Sequence, residues 1–478
     1  MEDLRFVREF IDEHFGEFEE MAGKIWALAE LPFEEVESVE VLQGALETRG
    51  FAIEEGVADL PTAFVASYGS GRPYFGFLAE YDALDMLSQQ AGVSEKRAVE
   101  GMAPGHGCGH NLIGVGCVAA SLAVQAYLEE TGKAGTVYLF GCPGEEGAGG
   151  KTYMAKAGLF DELDFVYTWH PSSENRVQVE NSSAILAADF TFTGKSAHAG
   201  SSPWLGRSGL DACELMNVGS NYLREHIQDQ ERIHYAYMNA GGTAPNVVPQ
   251  EATIRYEVRS PKLGDMMKLY ERIKNVARGA ALMTETELSF ERKYAFADYQ
   301  SSRTLWPIAQ RALEELGPPE WTEEDYTLAK EFLTSYDGET QEQAKVQMMG
   351  LYGMDRVEEK FAKPLDDEIQ PLEYGPVKYS SGSTDVGDVS YVCPTVTLLT
   401  ATACLGNVAH TWQTTAQSLS PIGLKGMRLA AQGMALAAIR TMEDKDLIEK
   451  AKDETKERRL KAGGDLGPDS GFHHLIEQ

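Results

Sequence analysis

The stretch Pro104-Gly-His-Gly-Cys-Gly-His-Asn111 holds two imidazoles and a thiol within eight residues, each set off by glycine. Thiolate and imidazole are the donors that borderline-soft divalent metals prefer. Glycine lets a backbone turn tightly and approach a ligand with no Cβ in the way. Such a segment suits neither a strand core nor a helix interior, and it reads as half of a metal site. The other half is sought far along the chain, in Glu145-Glu146, in Trp169-His170-Pro171 and in Ala409-His410. Five donors (Cys108, His110, Glu146, His170 and His410) exceed the four of a closed structural zinc site and suit two ions sharing a water. Glu145 and Glu146 are adjacent and point differently, so one can bind metal while the other moves a proton. A metal-bound water has its pKa lowered to ~7, so a nearby carboxylate suffices as base. His106 stays open between replacing His110, orienting it and lying exposed. Cys117, Cys142, Cys213, Cys393 and Cys404 read as small buried hydrophobes.

The elements around these residues suggest how they meet. Apolar spacing predicts helices over 4–15 and 38–48, strands over 62–68 and 74–79, and a helix over 112–127 that must be buried on most sides. Strands over 136–140 and 165–168 run into the Glu145-Glu146 and His170 turns. Strands alternating with helices predict a parallel α/β sheet, in which ligands bind just beyond the carboxyl ends of the strands. Asp82, Glu145, Glu146 and His170 all fall there. From about residue 184 a β-α-β-β-α-β pattern predicts an inserted ferredoxin-like α+β unit. The α/β pattern resumes near 302, passes an acidic stretch (317–376) uninformative about chemistry, and closes with a strand at 395–400 and a helix at 421–442. The expected domains are 1–183 and 299–445 for the α/β part, 184–298 for the insertion, and 446–478 as a charged, peripheral tail. His473 and His474 read as exposed tail residues.

A chain of 478 residues with 43% hydrophobic content calls for two domains. No apolar run approaches the ~18 residues of a membrane span, and the acidic opening Met1-Glu-Asp-Leu-Arg argues against a signal peptide. Scattered cysteines point to a reducing compartment, hence the cytoplasm. The net charge of −32 makes nucleic acid an unsuitable partner.

The motifs Gly107-Cys-Gly-His110, Glu145-Glu146, Trp169-His-Pro171, Ser196-Ala-His-Ala-Gly200 and Ala409-His410 together resemble those of the two-metal peptidases and amidohydrolases related to aminoacylase and glutamate carboxypeptidase, in their amidohydrolase branch. The resemblance covers roughly residues 5–440. It implies a zinc-peptidase-like catalytic domain with an inserted lid/dimerisation domain, and two divalent ions (Zn or Mn) on Cys108, His110, Glu146, His170 and His410. Glu145 matches the general base, and His198 the lid histidine that steadies the oxyanion in a partner subunit's site. Asn246 and Arg259 match positions that help bind a substrate carboxylate. The implied reaction is hydrolysis of an N-acyl or aroyl amino acid, with p-aminobenzoyl-glutamate leading; the rivals are a dipeptidase for unusual dipeptides and a non-catalytic metal-binding subunit. A homodimer, or a heteromer with a related subunit through the lid, is the implied assembly. Three departures stand out: Asn111 where the branch has aspartate, Asp85 where it has proline, and Glu80 where other branches have a ligating histidine. Asp82 remains positioned to orient His110.

Overall fold

The computed structural model describes residues 2–380 and 382–463. Residues 464–478, with His473 and His474, and Ser381 of the Ser380–Asp385 loop lie outside the described residues. The described residues divide into two compact units, one of residues 2–179, 301–376 and 392–455, the other of residues 180–300, 377–380, 382–391 and 456–463.

The strands, in chain order, are β1 (Ala52–Glu55), β2 (Phe64–Ser70), β3 (Tyr74–Ala79), β4 (Gly135–Gly141), β5 (Phe165–Ser172), β6 (Arg176–Val177), β7 (Ala184–Thr193), β8 (Arg232–Asn239), β9 (Glu251–Ser260), β10 (Glu287–Phe296) and β11 (Thr395–Ala401). In the first unit seven of them form a sheet of order β1-β2-β4-β3-β5-β11-β6. Its centre, β4-β3-β5-β11, is parallel, and β1, β2 and β6 pair antiparallel at the edges. Apolar stripes of the helices Glu2–Leu28 (Val7, Ile11, Phe15, Phe18), His110–Thr131 (Leu112, Val115, Val118, Leu122) and Pro421–Met442 (Met427, Met434, Ala438) share one core with the sheet. The first helix outruns its expected end at 15 because Phe18, Ala22 and Ile25 continue the buried stripe.

The helix His110–Thr131 is long and apolar enough to cross a membrane, contrary to the expectation that no run came close. Its most apolar window is 94% buried inside the fold, which makes it the central core helix. The helix is apolar all round because it is packed on all sides.

The charged segment after 445 also departs from expectation. Lys445–Gly463 is a helix, not a peripheral tail. Ile448 and Ala451 are buried, and Glu454 accepts from the Ser302 hydroxyl and from the backbone N–H groups of Arg303 and Thr304. The apolar stripe of Leu447, Ile448 and Ala451 packs on the core of the first unit, although charged residues dominate the run.

In the second unit β10-β7-β9-β8 is an antiparallel sheet, with the helices Gly209–Leu223 and Leu263–Thr284 connecting it in the β-α-β-β-α-β order. Phe190, Ile254 and Tyr256 on the sheet and Met216, Leu269 and Ile273 on the helices are buried. Residues 377–391, expected with the α/β part, belong to this unit. The Asp388 carboxylate accepts from the Ala297 N–H, and Asn181 bridges to Tyr379.

Candidate metal centre

The first unit brings together the ends of four strands and the glycine-rich loop. Glu80 and Asp82 follow β3, Glu145 and Glu146 follow β4, His170 lies in the last turn of β5, and His410 follows β11. The loop is pinned by Gly105, whose N–H and C=O exchange hydrogen bonds with Leu84 at 2.9 and 3.1 Å. Gly109 then turns at φ +78°, and a Cβ there would stand 2.9 Å from Pro171 Cγ. Only glycine lets the loop lie against the end of β5 and start the core helix at His110. His410 also has a left-handed backbone (φ +58°), and its N–H donates to Gly107 O at 3.0 Å. Such strain in a non-glycine residue is the kind that active sites hold.

Asp82, fully buried, organises the cluster. It accepts from His110 Nδ1 at 2.8 Å with one oxygen and from the Glu146 N–H at 2.9 Å with the other. His110 Nε2 is thereby the lone-pair nitrogen, and it faces the site with no hydrogen-bond partner. His170 is set the same way, its Nδ1 donating to Pro171 O at 2.8 Å. Glu146 Oε1 is likewise buried and unpartnered, 3.3 Å from His410 Nε2. Glu145 Oε2 lies 4.0 Å from His110 Nε2.

The donor set fits divalent ions. Cys108, His110 and His170 form one cluster and Cys108, Glu146 and His410 another, so the thiol of Cys108 is common to both. Donors about 2.1 Å from a tetrahedral ion stand roughly 3.4 Å apart. Cys108 Sγ and His170 Nε2 are 3.4 Å apart, and His410 Nε2 and Glu146 Oε1 3.3 Å. The buried, unpartnered His110 Nε2 and Glu146 Oε1 in this donor set are what an ion would satisfy.

The electrostatics agree. Burial opposes ionisation of Cys108, but the facing His170 and His110 outweigh it and hold the thiol well below its usual range. Burial is likewise outweighed at His110, where Asp82 and Cys108 push the pKa well up. Burial and the Cys108 charge raise Glu146. The close approach of Cys108 and Glu146 pushes His410 up to about 10. An ion held by these donors would compete with protons for the same atoms.

The second unit holds the other candidates. The N–H groups of Gly200 and Ser201 both donate to His198 Nδ1 at 3.1 Å, leaving Nε2 as an exposed donor. His198 pairs with Val247, and the neighbouring Ala199 N–H donates to Asn246 O at 2.9 Å, which places His198 and Asn246 together. Arg259 on β9 already pairs with Glu257 at 2.8 Å. His106 is buried, its Nε2 bonded to Ile25 O at 3.0 Å and its pKa lowered to about 4 by burial; it supports the loop. Asn111 donates to Ser418 O at 3.0 Å.

Three features escaped sequence reasoning. Glu35, fully buried, accepts from the Gly144 N–H (2.8 Å) and the Thr62 hydroxyl (3.0 Å), holding the loop that carries Glu145. Lys151 pairs with Glu80. The acidic stretch supplies Tyr336 to a cavity of about 500 Å³ that also has Met86, Leu87, Val408, Thr411 and Trp412 in its walls, flanking the His410 turn. Glutamate pairs, lone lysines and acidic helices are usually solvated faces, so no local signal marked them.

Residues 76–355, more than half of the chain, match the profile of peptidase family M20/M25/M40. The chain belongs to this family. As an M20 protein it is 40% identical over 456 residues to one of the subunits of p-aminobenzoyl-glutamate hydrolase from Escherichia coli (strain K12), covering 95% of each chain. It is 33% identical over 306 residues to the Xaa-Arg dipeptidase of Mus musculus, covering 60% of this chain and 65% of that one. An aminobenzoyl-glutamate utilization protein from Klebsiella pneumoniae shares the fold with a TM-score of 0.59 at 16% identity, over 91% of this chain and 98% of the other. A dinuclear metal-binding M20 peptidase from Bacillus subtilis does so with a TM-score of 0.57 at 17% identity, over 90% of this chain and 99% of the other. The expected family and fold class hold, and with them a metal-dependent hydrolase of amide bonds.

Proposed function

We propose that this M20 protein hydrolyses the amide bond of an N-acyl or aroyl amino acid, p-aminobenzoyl-glutamate foremost, at a two-ion centre held by Cys108, His110, Glu146, His170 and His410. The observation that carries it is the convergence of these donors around buried, unpartnered His110 Nε2 and Glu146 Oε1. Zinc or manganese, when bound, supplies a water of lowered pKa and polarises the scissile carbonyl. Glu145 takes the proton of the attacking water and delivers it to the leaving amine. Asp82 keeps His110 in its ligating tautomer. His198 presents Nε2–H to the oxyanion from a partner subunit's lid. Asn246 binds the substrate carboxylate, and Arg259 joins it on exchanging Glu257. The cavity beside the His410 turn, with Trp412 and Tyr336 in its walls, suits an aromatic acyl group.

Dimerisation through the second unit is supported by β8, an edge strand that exposes Tyr235, Tyr237 and Met238. The E. coli relative's designation as a subunit supports a heteromer as the other assembly. Cys108, Cys117, Cys213, Cys393 and Cys404 form no disulfide, which suits the cytoplasm. A dipeptidase activity is the second reading, supported by the mouse relative.

The test is turnover of p-aminobenzoyl-glutamate, N-acetyl amino acids and dipeptides by the purified chain with Zn²⁺ or Mn²⁺, repeated with Glu145→Ala. Turnover confined to dipeptides favours the second reading, and no loss in the variant sinks the mechanism. Mixing His198→Ala with Glu145→Ala chains restores activity if the site is shared between subunits; demonstrated exchange without recovery counts against that.

A further inference from the structure

The Lys151–Glu80 ion pair has no part in the chemistry above. Lys151 is the second residue of the helix Gly150–Lys156, just beyond Glu145-Glu146, and Glu80 follows β3. Lys151 Nζ lies 2.7 Å from Glu80 Oε1, with the two side chains 0% and 4% exposed. Desolvating two charges costs about as much as their attraction returns, and well-packed hydrophobes do as well or better. Stability alone is therefore a weak reason for such a pair.

The other oxygen gives a better one. Glu80 Oε2 is buried, has no hydrogen-bond partner, and lies 3.5 Å from the equally unpartnered His110 Nε2. That spacing matches the Cys108–His170 and His410–Glu146 separations, and it suits two donors on one ion. Donor atoms of Glu80, His110 and Glu145 all lie within 4.8 Å of one another. A carboxylate has about four lone-pair positions, so Lys151 can hold Oε1 while Oε2 stays aimed at the centre.

We propose that Glu80 is a sixth metal ligand, giving Oε2 to the ion bound by His110 Nε2, and that Lys151 is its positioning residue. The proposal rests on the two-ion centre argued above. Lys151 fixes the rotamer of the carboxylate before the ion arrives.

The experiment is a calorimetric titration of chelator-stripped full-length chain with Zn²⁺ and, separately, Mn²⁺, with bound metal counted by mass spectrometry. The variants are Glu80→Gln, Lys151→Met and the double Glu80→Met/Lys151→Met, which removes both charges and leaves neither orphaned. The wild type should bind two ions. Glu80→Gln and the double variant should keep one at wild-type affinity and weaken the other at least ten-fold. Lys151→Met should weaken the same ion while keeping two sites. Two ions at unchanged affinity in the double variant would overturn the assignment of Glu80. A Lys151→Met chain that only melts earlier, with both affinities intact, would remove Lys151's positioning role. Should the double variant not fold, Glu80→Gln, isosteric and still able to accept from Lys151, decides the same question. A wild type that binds fewer than two ions would refute the centre itself, an outcome distinct from failure of the Glu80 assignment.

Discussion

The carboxylate of Asp82 accepts from His110 Nδ1 at 2.8 Å, and this bond decides which nitrogen of His110 is left for a metal. The same carboxylate accepts from the Glu146 N–H at 2.9 Å, so one buried group sets two proposed ligands. In Asp82→Asn an amide –NH₂ must face one of these donors. Metal affinity is expected to fall about 10–100-fold with the fold intact, checked by metal titration beside circular dichroism. Unchanged affinity would show that His110 is oriented by something else.

Glu145 and Glu146 should separate cleanly. Glu145→Gln is expected to lower kcat by roughly 10²–10⁴-fold while metal content stays at the wild-type level. Glu146→Gln should lose metal. Metal analysis and single-turnover kinetics on the same preparations test the pair; the opposite pattern would exchange their roles.

Glu35 predicts a pH effect remote from the ligands. Burial, reinforced by the Asp82 charge, raises its pKa from 4.5 to about 7. Between those values the folded chain holds a proton that the unfolded chain has released, so this group's contribution to stability falls as pH rises through that window and is lowest above it. Glu35→Gln keeps an acceptor for the Gly144 N–H and cannot ionise. Its stability advantage over wild type should grow from pH 5 to pH 8, by on the order of 1–3 kcal/mol, in urea melts of metal-free protein. A constant difference across that range would contradict the assignment.

Gly109→Ala places a Cβ 2.9 Å from Pro171 Cγ in a backbone at φ +78°. The expected cost is about 1–3 kcal/mol in urea unfolding. Weaker metal binding should accompany it, because Cys108 and His110 flank the strained residue. Wild-type stability would mean the loop can lift off Pro171.

Trp412, in the wall of the cavity beside His410, should discriminate acyl groups. Trp412→Ala is expected to raise KM for an aroyl glutamate roughly ten-fold more than for an acetyl amino acid. Equal changes for both would place the aromatic group elsewhere.

What was legible in the sequence was local. Cys108 and His110 stand two apart between glycines, so their shared loop needs no distant information. The strand-end positions of Asp82, Glu145 and His170 followed from apolar runs whose period is set by the backbone, and the buried helix after His110 from its small apolar residues. The helix Lys445–Gly463 was missed because its charged surface dominates a short apolar stripe. Residues 377–391 were misassigned because chain order said nothing of the backbone and carboxylate bonds that tie them to 181 and 297.

The sequence by itself therefore determined the donor types, their order along the chain and the glycines that permit the loop. Only the tertiary structure decided which atoms of those donors are available: Nε2 of His110 because Asp82 takes Nδ1, Oε2 of Glu80 because Lys151 takes Oε1. A side chain's free atom is whatever its neighbours leave unpaired after burial, and those neighbours come from strands and helices far apart in the chain.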